Sequence, residues 1–84
     1  MVDKKTVKKV TNLEDCELQK NLIIDSVNLS PDQCFRLREI GLTEGANIQV
    51  CQNCGFGGKV ISKGAERLGV DRNIAESINV HYAD

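Results

Sequence analysis

The sequence predicts a mainly β fold: about five short antiparallel strands bent into a small barrel, with one α-helix inserted after the first strand. Three observations carry this. Short apolar runs with period-2 alternation recur along the chain, as half-buried strands require. One segment, residues 30–42, holds a full set of helix start and stop signals. The strands after it lack the long β–helix–β spacing of a parallel sheet, so antiparallel neighbours in a bent sheet are expected.

The elements follow in order. Residues 1–12 contain Lys4, Lys5, Lys8 and Lys9 against Asp3 alone. They lack a steady apolar period and are expected to form a flexible basic tail, with the barrel domain spanning residues 13–84. Such a tail is either a solvated end or a weak tether to anionic lipid or an acidic partner. Leu13, Glu14, Asp15 and Cys16 read as a turn leading into the domain. Residues 22–28 read as a strand, with Leu22, Ile24 and Ser26 on one face and Ile23 and Val27 on the other. Ser30 is placed to cap a helix, Pro31 suits the first helical position, and Gln33 completes a capping box. Leu29 can staple onto Cys34. Cys34, Leu37 and Ile40, with Phe35 alongside, are the expected buried stripe. Gly41 can adopt the left-handed conformation that ends a helix, and Leu42 can fold back onto Leu37.

After a turn at Thr43, Glu44 and Gly45, the residues Ala46, Ile48 and Val50 alternate with Asn47, Gln49 and Cys51 as a half-buried strand. Residues 53–58 form a glycine-rich loop carrying Phe56, which is either a barrel plug or a partner anchor. The loop is neither a phosphate loop nor a dinucleotide fingerprint, because the spaced glycines and the following helix are missing. Residues 59–63 and 66–71 read as two more strands, residues 73–77 as a single helical turn, and residues 78–82 as the closing strand.

Composition narrows the function. Eighty-four residues allow one domain. A chain of this size buries only about 60–65% of its unfolded surface, which leaves little room for an enclosed active site. Hydrophobic content of 40% with 27% charged residues suits a folded domain. The longest aliphatic run is Leu22, Ile23 and Ile24, far below the ~20 residues of a membrane helix. The start, MVDKKTVKKV, has no apolar signal-peptide centre, so a cytoplasmic location is expected. Net charge is −1 and the pI about 5.8. With one Tyr, two Phe and no Trp, a nucleic-acid partner is not expected.

The cysteines are Cys16, Cys34, Cys51 and Cys54. Without an export signal, reduced thiols are the default. Cys51 and Cys54 form a CxxC pair, a spacing that brings two thiolates onto one ion, and they are the candidate metal ligands for Fe2+ or Zn2+. No second CxxC or HxxxH accompanies them, and His81 would have to be brought in by the fold. The other reading of the pair is two small polarizable residues at a strand end. Candidate general acids and bases, His81, Asp71 and Glu66, have no recognisable nucleophile beside them.

The string Leu37-Arg38-Glu39-Ile40-Gly41-Leu42-Thr43-Glu44-Gly45 resembles the "RL.ElGL.pG" core of the ferrous iron transport protein A (FeoA) family. Gly64, the pair Leu68 and Val70, and the closing set Ala75, Ile78 and Val80 follow in the family's order, and the likeness runs from about Leu13 to Tyr82. It departs at Gly55, where a proline is common, and at Gly69, where an alanine-like residue is usual. Cys51 and Cys54 are not part of the shared pattern. The resemblance implies an SH3-like barrel with an inserted helix and no catalytic residue. It also implies a cytosolic accessory role in Fe2+ uptake, acting on a FeoB-type membrane permease with a GTPase-like domain.

A binding surface on such a barrel would use exposed apolar or arginine side chains near the capped helix and the hairpin. Arg36, Arg38, Leu42 and Phe56 are the candidate partner-binding residues. Two further readings stand beside this one. One is a transition-metal-binding protein using Cys51 and Cys54. The other is the barrel partner of a metal-dependent transcription regulator, which would need a separate DNA-binding chain.

Overall fold

A computed structural model of the chain describes residues 10–55 and 57–83. Its elements are β1 (Val10–Asn12), β2 (Leu22–Val27), α1 (Pro31–Glu39), β3 (Asn47–Asn53), β4 (Lys59–Lys63), β5 (Glu66–Val70), α2 (Arg72–Ser77) and β6 (Ile78–Tyr82). Among the described residues the strands form one antiparallel sheet of six, in the order β1-β6-β2-β3-β4-β5. The mainly β class and the inserted helix are as expected. The additional strand is β1.

Residues 10–12 had been expected to belong to the tail. They instead pair with β6 in the register Val10↔His81, Thr11↔Val80 and Asn12↔Asn79. Three residues with a single half-apolar face carry no strand signal of their own. The free edge of β6 supplies the partner that makes them a strand. The rest of the expected tail, Met1 to Lys9, lies outside the described residues.

Inward-facing Leu22, Ile24, Ile48, Val50, Ile61, Val70, Ile78 and Val80 make the core, joined by Leu13, Cys16, Leu37, Leu42 and Ala75. Two β-bulges bend the sheet around them. In β2 the register with β6 shifts between Ile24 and Ser26, leaving Asp25 as the extra residue. In β3 the register with β4 shifts between Val50 and Gln52, leaving Cys51 extra. A bulge adds local twist and bend, which a sheet of short strands needs to curl over its own core. The first bulge also explains why the alternation in β2 breaks after Ile24.

Leu13 is fully buried, and its N–H is shared between the carbonyls of Ala75 and Ile78, each at 3.1 Å. The turn of residues 13–16 thus seals one end of the barrel against α2. That short helix is capped by Asp71, whose Oδ1 accepts the Ile74 N–H at 2.9 Å. No helix among the described residues is long and apolar enough to cross a membrane.

Candidate functional site

The site is built on α1, and both ends of α1 are specified by local chemistry. Ser30 Oγ accepts the Gln33 N–H at 3.3 Å, and Gln33 Oε1 accepts the Ser30 N–H at 3.3 Å. This reciprocal pair satisfies two N–H groups that a helix start leaves open. At the other end Gly41 has φ +90°. Its N–H reaches the Arg38 carbonyl at 3.0 Å, and the Leu42 N–H reaches the Leu37 carbonyl at 2.8 Å. These are the two bonds of a Schellman ending. Lys63 lies across Gly41: a Cβ there would be 2.9 Å from Lys63 Cε and 3.2 Å from its Nζ.

The helix buries less than its sequence suggests. Leu37 is buried, but Cys34 is half-buried, and Phe35 and Ile40 are 60% and 41% exposed. Helical spacing places Phe35 on the face opposite Leu37. The expected stripe of Cys34, Leu37 and Ile40 with Phe35 is therefore corrected. Among the described residues no strand packs broadly along α1, so a 3.6-residue apolar period finds no surface to bury its flanks.

The four residues expected to bind a partner separate accordingly. Arg36 and Arg38 are exposed in the last turn of α1, where their charge also complements the negative end of the helix dipole. Leu42 is 1% exposed and belongs to the core, so it offers no surface and that expectation is corrected. The Schellman ending turns Leu42 inward onto Leu37, and burying it satisfies the leucine better than exposure. Phe56 lies outside the described residues. Phe35 and Ile40 were missed as surface residues, because apolar character points Phe35 to the core and the i, i+3 spacing from Leu37 points Ile40 there. Beside them, Val27, Cys34, Arg38, Leu42, Thr43 and Glu44 line a cavity of about 160 Å³ between α1 and the turn that follows it. The end of α1 thus gathers Arg36, Arg38 and Lys63 with two exposed apolar side chains.

Of the candidate metal ligands, Cys51 and Cys54 stand at the hairpin end of β3, and His81 stands on another strand. Cys51 is the bulge residue of β3, and its thiol donates to the Val60 carbonyl at 3.4 Å. Cys54 is exposed at the start of the hairpin loop. His81 lies on β6, separated from β3 by β2, and its Nδ1 is 2.6 Å from Asp25 Oδ1. Among the described residues, no group of three or more His, Cys, Asp or Glu side chains is arranged to hold a metal ion. The candidate acids and bases are also held apart: Asp71 caps α2, Glu66 opens β5, and His81 is paired with Asp25. The thiol of Cys16 donates to the Leu13 carbonyl at 3.4 Å. Burial pushes this thiol's pKa up, against the opposing pull of the Lys59 ammonium.

The FeoA domain model matches residues 11–82. No curated protein matches the sequence. The chain is similar to the solution structure of an FeoA protein from Chlorobium tepidum, with a TM-score of 0.80 and 27% identity over 88% of this chain and 71% of that one. It is similar to the crystal structure of an iron uptake regulatory protein (FeoA), with a TM-score of 0.77 and 25% identity over 89% and 99% of the two chains. The manganese regulator SloR shares the fold at a TM-score of 0.75 and 19% identity, with 87% of this chain covering 34% of that one. The bent six-stranded sheet is accordingly an SH3-like barrel, and the chain belongs to the FeoA domain family of small accessory proteins, whose role is in ferrous iron transport.

Proposed function

We propose that the chain serves Fe2+ uptake from the cytoplasmic side, by binding and regulating a FeoB-type membrane permease through its cytosolic GTPase-bearing part. The observation that supports this reading is the C-terminal end of α1. Phe35 and Ile40 are exposed there beside Arg36, Arg38 and Lys63. Exposed aromatic and arginine side chains on a rigid support are the usual anchors of a protein interface. The core does not use Phe35, so its cost in water is offset only when a partner covers it. Phe56, which falls between β3 and β4 in the sequence, remains a second candidate anchor. Family membership supports the iron-uptake context.

The test is a calorimetric titration of the permease's cytosolic domain with the full chain, with and without guanine nucleotide. Saturable binding that weakens at least tenfold in Phe35→Ala supports the proposal. Absence of binding in both nucleotide states would overturn it.

A further inference from the structure

The cavity beside α1 has apolar walls and a charged mouth. Val27, Cys34 and Leu42 supply the apolar lining, and half-buried Thr43 adjoins them. The Cys34 thiol is taken up by the carbonyls of Val27 and Leu29, at 3.7 and 3.6 Å, so it offers the cavity a polarizable wall and no free donor. The volume is about 160 Å³, the size of a cavity that holds one benzene-sized group.

Arg38 and Glu44 line the cavity and are both exposed, so they stand where it opens to solvent. Among the described residues neither takes part in an ion pair, and nor do Arg36 and Lys63. Cys34 and Arg38 are one turn apart on α1, and Phe35, three residues before Arg38, adjoins them. The mouth therefore lies next to the exposed aromatic side chain.

We propose that this cavity is a socket for one apolar side chain of the partner, and that Arg38 pairs with a carboxylate next to that side chain in the partner's sequence. The inference rests on the permease reading and names the segment recognised: an apolar residue beside an Asp or Glu on the permease's cytosolic part. An arginine holds a carboxylate through two parallel N–H bonds, so it fixes direction as well as charge. Charge complementarity favours an acid here, because Arg36, Arg38 and Lys63 gather at this end against Glu39 and Glu44. Glu44 acts in the opposite sense. It repels the same carboxylate and so disfavours segments with acids on both sides of the apolar residue. A second copy of the chain is a poor occupant, because a two-fold contact through this mouth would set Arg38 near its own copy.

Calorimetric titration of the permease's cytosolic domain with variants of the full chain tests the socket. Cys34→Leu and Thr43→Leu fill the cavity, Arg38→Gln removes its cation, and Glu44→Gln removes its anion. Each filled variant is expected to bind at least about tenfold more weakly, the loss of one buried apolar side chain. Arg38→Gln should weaken binding about threefold, and Glu44→Gln should tighten it about twofold. Wild-type affinity in both filled variants, with Phe35→Ala still weakened, overturns the socket and leaves the docking reading standing. Absence of binding by the wild type overturns both. Tighter binding by Arg38→Gln and weaker binding by Glu44→Gln would identify a basic segment and overturn the acidic one. If a filled variant fails to fold in urea denaturation, the opposite signs of Arg38→Gln and Glu44→Gln carry the comparison, and equal signs overturn it. A dimer of the chain alone in sedimentation that Thr43→Leu dissolves would give the cavity to a second copy and overturn the proposal.

Discussion

Replacing Gly58 by alanine is a sharp test of how the hairpin loop is seated. Gly58 has φ +86°, and its missing Cβ would fall 2.5 Å from the Val70 carbonyl oxygen, 3.1 Å from Asp71 Cα and 3.3 Å from Asp71 C. Two costs add. An L residue in the left-handed region loses about 1–2 kcal/mol relative to glycine. The clash is with backbone atoms, which cannot rotate away as a side chain would, so the β4–β5 pairing or the α2 cap must shift. Overpacking of that kind costs about 1–3 kcal/mol more. The sum is roughly 2–5 kcal/mol, a large share of the ~5–15 kcal/mol that holds a domain folded.

Gly64 provides the control. It also has positive φ, +59°, but nothing lies within 4 Å of its Cβ position. Gly64→Ala is expected to lose only the conformational part, about 1 kcal/mol. Urea denaturation of the two variants, with slopes compared, measures the difference as a shift in midpoint. Gly58→Ala should be the less stable by at least about 1 kcal/mol, set by the added overpacking. A Gly58→Ala loss equal to or smaller than that of Gly64→Ala would refute the close seating of the loop.

Other consequences follow from the same geometry. Leu42→Ala should cost about 2–5 kcal/mol in chemical denaturation, because it empties a core position. Phe35→Ala, on an exposed face, should leave the denaturation midpoint within about 0.5 kcal/mol of the wild type. Ser30→Ala should lower stability by about 0.5–2 kcal/mol through loss of the capping box, read as a lowered thermal midpoint. The buried Cys16 thiol gives a pH dependence with a definite sign. Its pKa is raised in the folded state, so the unfolded chain ionises first as pH rises past about 8.5. Its contribution is complete below that pH and is lost above it, up to the raised folded value. The stability advantage of wild type over Cys16→Ala should therefore shrink between pH 8 and pH 10 in paired urea titrations.

How far the fold could be read from the residues depends on whether a signal is local. The α1 boundaries were legible because Ser30, Pro31, Gln33 and Gly41 each act within a few residues. The strands at Lys59–Lys63 and Ile78–Tyr82 were legible for the same reason, as their alternation matches the pleat. Strand β1 was not, since its stability comes from β6, nearly the whole chain away. The bulges at Asp25 and Cys51 were hidden because an extra residue shows only against a partner strand.

The candidate site was half legible. Arg36 and Arg38 were identified, but the exposure of Phe35 and the burial of Leu42 depend on how little of the sheet faces α1. The burial of Lys59, whose ammonium donates to Asn53 Oδ1 across the β3–β4 pair, had no sequence signal. Nor did the contact from Glu14 to Gly58, 44 residues apart.

The central claim is that the partner meets the end of α1. Its most direct test is NMR mapping of the isotopically labelled full chain as the permease's cytosolic domain is added. Shift changes or line broadening are predicted at Phe35, Arg36, Arg38 and Ile40, with β1 residues Val10 and Thr11 unaffected. Changes confined to the β1 edge, with α1 silent, would contradict it.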